Sequence, residues 1–381
     1  MTRSRLCFVT AVPMTVTAFL NTHIQRLDDD FEIFVVSDFS GGTAGVSPRA
    51  THIHAPIARD ISPLRDLAGL WALLGIFRQH RFDIVLSVTP KAGLLAMMAG
   101  FLARVPCRIH WFTGQVWVTR QGLGRRILKA ADRLIAALAT SLLADSPSQR
   151  DFLVEQGVVR ADKISVIADG SICGVDSERF CPNEVASQQV RASFGIPPEA
   201  TVVLYLGRLN VDKGLRELAG AMKTLGERFA TVHWLFVGPD EGEMAEGLRR
   251  AAGSFPDRVH FQGFTAQPEQ FMAAADLFCL PSYREGFGSS ILEAAAVGIP
   301  GVATRIYGLT DAVEAGVTGL LVPPRDVGAL TTALADLLED GTRRKLMGKA
   351  ARQRAVERFG AARIVEGLVA FLAGRPERRS E

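Results

Sequence analysis

The sequence predicts an α/β protein of two domains, each built on a doubly wound parallel sheet. Three observations predict it. Short apolar runs alternate with longer stretches of helical spacing, the pattern of strands covered by helices on both faces. The alternation lapses once, between residues 170 and 200, and then restarts. At 381 residues the chain is too long for one hydrophobic core.

Leu6 to Thr10 is the first strand candidate. Ala11 to Thr17 follows as a loop, and Ala18 to Leu27 has helical spacing. Phe31 to Ser37 is nearly all apolar, as a strand buried on both faces must be. His52 to Ala55, Ile84 to Val88, Arg108 to Phe112, Leu142 to Ala144 and Ile164 to Ile167 continue the strands. Helical stretches at Leu64 to His80, Gly93 to Ala103 and Leu123 to Ala139 separate them. Ser146-Pro147-Ser148-Gln149 is a capping box with proline at the first helical position, so a helix starts there. Around Gly170 to Asp176 the pattern fails, and Cys181-Pro182-Asn183 and Pro197-Pro198 punctuate the stretch up to residue 200. The domain junction falls here, giving a first domain over 1–175 and a second over 176–360. The second has strand candidates Val202 to Leu206, His233 to Val237, Val259 to Gln262, Leu277 to Leu280, Gly301 to Thr304 and Gly319 to Val322. Val327 to Gly374 is helical; residues 361–381 form a C-terminal helix and tail, with Arg375 to Glu381 frayed. Ligands in such sheets bind beyond the carboxyl ends of the strands, so the two sets of loops are expected to face each other across a cleft.

Composition narrows the function. Forty-three basic against 40 acidic residues leave a net charge of +3, too balanced to imply nucleic acid. The five cysteines are scattered without a C-x-x-C pair, which argues against a zinc or disulfide framework and favours a reducing cytoplasm. Leu6 to Thr10 is too short for the apolar region of a signal peptide. Leu67 to Phe77 and Gly93 to Ala103 fall short of the ~20 residues a membrane span needs.

Two loops can carry chemistry. Tyr283 to Glu293 sets Glu285 and Glu293 at E-x7-E spacing between a buried strand and a helix start. Gly286 and Gly288 let backbone approach a ligand, and a helix start offers free N–H groups to a phosphate. Ser290 and Glu293 equally fit an S-x-x-E capping box that needs no ligand. Gly207-Arg208-Leu209-Asn210-Val211-Asp212-Lys213-Gly214 follows the first strand of the second domain and puts two cations on one loop. Arginine can grip phosphate in a fork and lysine adds a point charge; the alternative is a solvated loop with two ordinary cations. No Walker loop occurs, and no G-x-G-x-x-G follows the first strand.

These loops, with Phe261 to Phe264, Pro281-Ser282 and Thr318 to Val322, resemble glycosyltransferase family 4 across the whole second domain. Gly174-Val175-Asp176 with Phe180 resembles that family's interdomain segment. The resemblance implies the GT-B fold of two facing Rossmann-like domains, and retaining transfer from a nucleotide sugar. It implies that Arg208 and Lys213 bind the donor pyrophosphate and that Glu293 holds the ribose hydroxyls. Glu285 and the amides of Phe287, Gly288 and Ser289 would contact the donor sugar and distal phosphate, with Gly263 near the base. No metal is expected: Asp28-Asp29-Asp30 reads as a solvated turn, and Arg208 and Lys213 can stabilise a departing diphosphate themselves.

In the first domain, His110 ends a strand where the family has a cleft histidine, and it is assigned a catalytic role; a packed histidine is the alternative. Many family members have glycines in the first loop, where this chain has Pro13 to Thr17. Lys91, at a strand-to-helix junction, and the Phe112 to Trp117 stretch resemble a subgroup that extends polyprenyl-diphosphate-linked sugars in bacterial surface polysaccharide synthesis. The acceptor-side residues are then Lys91, Thr15 and Thr17. Leu123 to Ala139 sets apolar residues against Arg125, Arg126, Lys129 and Arg133, which suits either a membrane surface or an ordinary domain helix with its cations in water.

The sequence therefore reads as a cytoplasmic retaining glycosyltransferase at the inner face of the plasma membrane. Its partners are a UDP-hexose or UDP-N-acetylhexosamine donor, a lipid-linked saccharide acceptor and an anionic membrane surface, with no cofactor and no nucleic acid. A nucleotide-sugar epimerase of the same fold and a non-catalytic nucleotide-sugar-binding protein are the competing readings.

Overall fold

The computed structural model describes residues 3–57 and 62–373; the frayed tail expected at 375–381 lies outside them. The chain divides into two units, Met1–Gly174 with Ala361–Glu381, and Val175–Gly360.

In the first unit the strands are β1 (Ser4–Val9), β2 (Phe31–Ser37), β3 (Thr51–His54), β4 (Ile84–Val88), β5 (Cys107–Phe112), β6 (Ser141–Ala144) and β7 (Ile164–Val166). They form one parallel sheet in the order β3-β2-β1-β4-β5-β6-β7. The order reverses at β1 and β4, where Leu6 pairs with Ile84 and Val9 with Ser87. Every residue of β4 is buried, as a central strand covered on both faces requires. One face carries the helices Pro63–His80, Pro90–Leu102, Gly122–Leu138 and Pro147–Glu155. The other carries Pro13–Phe19, Asn21–Leu27 and the final helix Ala361–Ala373, whose Ile364, Leu368 and Leu372 are buried there. That final helix, which the sequence pattern sets apart, is part of the first unit's core.

Two local expectations are corrected. The loop expected over Ala11 to Thr17 becomes helical at Pro13, because proline suits the first helical position and Val12 supplies the extended residue before it. The single helix expected to Leu27 is accordingly two short ones, meeting at Leu20.

The second unit has β8 (Thr201–Leu206), β9 (Val232–Val237), β10 (Val259–Gln262), β11 (Leu277–Leu280), β12 (Gly301–Thr304) and β13 (Gly319–Val322), parallel in the order β10-β9-β8-β11-β12-β13. One apolar cluster fills it, from Val175 to Phe359. Side-chain caps start several helices: Ser146 accepts from the Gln149 amide at 3.1 Å, Asn183 from Ala186 at 3.0 Å and Asp326 from Ala329 at 2.8 Å.

Candidate functional sites

The strand order of the second unit reverses between β8 and β11, and the loops that leave these two strands meet. The β8 loop ends at Gly214, in the left-handed region with φ 67°; a Cβ there would lie 1.9 Å from the Pro281 carbonyl oxygen. Only glycine permits this approach, and it brings the two loops into register. Lys213 Nζ lies 2.6 Å from Glu285 Oε1, with both side chains less than one-fifth exposed. Beside them Arg284 Nε donates to Asp212 Oδ2 at 3.0 Å, and the Tyr283 amide donates to the Asp212 carbonyl at 2.8 Å. Tyr283 Oη donates to Glu217 Oε2 at 2.6 Å, so both ends of the β11 loop's first turn are tied to the β8 side.

Gly288, with φ 87°, takes the N-cap position of the helix Ser289–Val297, and no side chain caps its first turn. The capping-box reading of Ser290 and Glu293 is thereby corrected: Ser290 lies inside the helix, and the first amides are left for a ligand. Phe287 is buried with its ring 5.1 Å from that of Phe359, so only its backbone is available to a ligand. Glu293 is half-buried, and burial pushes its carboxyl up to about 8, with Arg179 opposing and Glu269 reinforcing the rise. Arg208 is paired with a different carboxylate, its Nη1 2.9 Å from Glu241 Oε2. Gly263 lies exposed just beyond β10 at the sheet edge.

The first unit is different in kind. His110 is buried within β5, which runs on to Phe112, so it does not end the strand as expected; Thr113 to Gln115 form the loop. Its Nδ1 lies 2.9 Å from Ser87 Oγ, and its ring faces Gly93, where a Cβ would lie 2.3 Å from Cε1. Burial pulls its pKa down to about 3, against the contact with Ser87, so the imidazole is neutral. Lys91 Nζ lies 2.5 Å from Asp66 Oδ1 in the first turn of its helix. Thr89 before it holds φ 76°, unusual for a β-branched residue and a sign of strain at this junction. Thr15 is buried, and Thr17 Oγ1 donates to the Met14 carbonyl at 3.0 Å.

Two family models match the chain: "Glycosyl transferase 4-like domain" over residues 15–170 and "Glycosyl transferases group 1" over residues 186–354. A D-inositol 3-phosphate glycosyltransferase of Corynebacterium urealyticum is 32% identical over 308 residues, 70% of each chain. The chain belongs to glycosyltransferase family 4. The capsular polysaccharide biosynthesis glycosyltransferase CapM of Staphylococcus aureus is 28% identical over 82% of each chain. An Escherichia coli UDP-Gal:alpha-D-GlcNAc-diphosphoundecaprenol alpha-1,3-galactosyltransferase is 26% identical over 82% of this chain and 80% of its own. The transferase has the GT-B fold. Sucrose-phosphate synthase of Thermosynechococcus elongatus superposes with a TM-score of 0.81 at 21% identity, covering 97% of this chain and 98% of its own. Anabaena HepE, solved with UDP and glucose, does so at 0.79 and 21%, covering 97% and 100%.

Several residues that hold the loops after β8, β9 and β11 together carry no local sequence signal. Glu241 against Arg208, Asp212 against Arg284 and Glu217 against Tyr283 lie 33, 72 and 66 residues apart, and no local spacing signals them. Among the described residues, no three His, Cys, Asp or Glu side chains converge as a metal site.

Proposed function

We propose that the chain transfers a hexosyl or N-acetylhexosaminyl group from a UDP-sugar, with retention of anomeric configuration, to a polyprenyl-diphosphate-linked saccharide in cell-surface polysaccharide synthesis. The observation that carries the reading is the Lys213–Glu285 pair beside the uncapped start of Ser289–Val297. It offers a cation and free amides to a leaving diphosphate and a carboxylate to the sugar that it leaves. Arg208, released from Glu241, supplies the second cation, and Glu293 and Gly263 take the ribose and base. The names of the S. aureus and E. coli relatives support the polysaccharide setting and, for the latter, a UDP donor and a diphosphoundecaprenol acceptor. The Corynebacterium relative's name gives D-inositol 3-phosphate instead, over a smaller share of the chain. The transferase acts at the inner face of the plasma membrane.

Glu285 holds sugar hydroxyls, and the acceptor attacks from the face the diphosphate leaves, giving up its proton to the departing phosphate. His110, neutral and buried, serves as a polar contact rather than a base. Lys91, Thr15 and Thr17 belong to the acceptor side. Arg208 and Lys213 do the electrostatic work of a metal, so EDTA is expected to leave turnover intact.

The test is a screen of UDP-sugars against polyprenyl-diphosphate saccharides and D-inositol 3-phosphate, with the product's anomeric configuration read by NMR. An α-linked product from an α-linked donor on the lipid-linked acceptor is expected. An inverted product, or turnover of D-inositol 3-phosphate alone, overturns the reading.

A further inference from the structure

A helix that covers a sheet turns its apolar side inward and its polar side to water. Two neighbouring helices of the first unit do not. Pro63–His80 buries Gly69, Leu73, Leu74 and Phe77. Among its exposed residues, Leu64, Leu67, Ala68, Trp71 and Gly75 form one stripe by helical spacing that runs on to Arg78 and Gln79. Leu64 is 84% and Trp71 63% exposed. Gly122–Leu138 buries Asp132, Ile135 and Ala136, yet Leu123, Ile127, Ala130, Leu134 and Ala137 form an exposed stripe. Of the two roles open to this helix in the sequence, the ordinary one would have turned Leu123 and Ile127 inward. Pro90–Leu102 lies between the two and touches both, adding exposed Phe101 and Leu102 at its far end. These three of the four helices on that face of the sheet lie side by side, so their exposed apolar residues share one side of the unit; the fourth, Pro147–Glu155, adds exposed Asp151 and Glu155 at its margin.

Its charge is one-signed. The three helices carry seven Lys or Arg residues (Arg65, Arg78, Lys91, Arg125, Arg126, Lys129 and Arg133) and two Asp. Asp66 is matched by Lys91, and Asp132 is buried, accepting from Trp117 Nε1 at 2.7 Å. What faces water is therefore apolar and cationic. Two copies of this face would press five exposed arginines against five others, so self-association is disfavoured. No described helix is long and apolar enough to cross a membrane, but a surface needs no span. The helices 63–80 and 122–138 begin at the carboxyl ends of β3 and β5, so Leu64, Leu67, Leu123 and Ile127 lie towards the end of the sheet where Lys91 opens its helix, with Trp71 midway along its own.

We propose that this face docks the first unit on an anionic bilayer, with Leu64, Leu67, Trp71, Leu123 and Ile127 entering the boundary between headgroups and acyl chains and the arginines engaging anionic headgroups. The inference deepens the lipid-linked acceptor reading: docking sets Lys91 beside the surface in which such an acceptor is anchored. The docking itself stands without that reading.

Trp71 reports on it directly, because Trp111, Trp117 and Trp234 are buried. The full chain is titrated with vesicles of phosphatidylglycerol and phosphatidylcholine, and of phosphatidylcholine alone. A blue shift of Trp71 emission and quenching by brominated acyl chains are expected with the anionic vesicles only. Trp71→Phe abolishes the signal while co-sedimentation persists. Leu67→Glu with Ile127→Glu weakens co-sedimentation at least about tenfold. Arg125→Gln with Arg126→Gln weakens it about fivefold per charge, and salt reproduces the loss. Unchanged thermal midpoints show that these variants remain folded. Equal binding to neutral vesicles, absence of quenching, or a lipid-free emission shift with a dimer mass overturns the docking. Docking without turnover of any polyprenyl-linked acceptor overturns the acceptor reading and leaves the docking in place.

Discussion

The two units carry different chemistry around their sheets. In the second unit the loops leaving β8 and β11 are laced by charge: Lys213 with Glu285, Arg284 with Asp212, and Tyr283 with Glu217. In the first unit the histidine of β5 is neutral and buried, and the unusual surface is apolar and lies on the outer helices. On the proposed reading, a charged leaving group is met by preorganised charge, whereas an acceptor on a long apolar carrier needs a surface rather than a deep charged pocket. The difference teaches that one fold, used twice in a chain, can divide a transfer reaction between an electrostatic half and a positional half.

The largest effect should come from breaking the charged half. Lys213→Ala removes the cation and leaves Glu285 half-buried without its partner, and turnover of UDP-sugar should fall roughly 10- to 150-fold, equivalent to about 1.5–3 kcal/mol. The thermal midpoint should fall moderately, because a largely buried carboxylate loses its partner, while the fold is kept. Steady-state kinetics at saturating acceptor check this, and near-normal turnover would remove the donor role of the pair.

Next comes the neutral half. Gly93→Ala drives a methyl group into the His110 ring, and overpacking of this kind costs about 1–3 kcal/mol. Denaturant midpoints should fall while the affinity for UDP, measured by calorimetry, stays unchanged. A variant with weakened UDP binding would show that the halves are not separable.

A third effect is a pH dependence of stability in the charged half. The Glu293 carboxyl rises from an ordinary 4.5 to about 8 in the folded chain, so the folded state holds a proton that the unfolded state has lost. Its contribution to stability is full below pH 4.5 and is lost as pH rises towards 8. Glu293→Gln should flatten that part of the stability profile, seen as a smaller difference between urea midpoints at about pH 5 and about pH 8. Parallel profiles for the two proteins would place the carboxyl in water.

The smallest effect belongs to Glu241→Gln. Its pair with Arg208 is well exposed, so stability should move by less than about 1 kcal/mol. The donor KM should fall modestly, because Arg208 no longer has to leave a partner. A raised KM would make Glu241 itself a donor contact.

The sequence by itself determined the strands and their alternation, because strands buried on both faces must be apolar runs and helices between them must be amphipathic. It also marked Glu285 and Glu293, and Arg208 and Lys213, because a short motif at a strand's end survives as a local signal. Tertiary structure alone decided what those residues touch. Lys213 and Glu285 are 72 residues apart, and their meeting depends on the parallel order β8-β11 and on the close approach at Gly214. Position in the helix also decided against the Ser290 cap, since Gly288 took that place. The helix Pro63–His80 is the plainest case. Its apolar composition was legible, but nearly every face of it is apolar, so periodicity could not say which side would be buried. Only the packing of the sheet against Leu73, Leu74 and Phe77 left Leu64, Leu67 and Trp71 facing out.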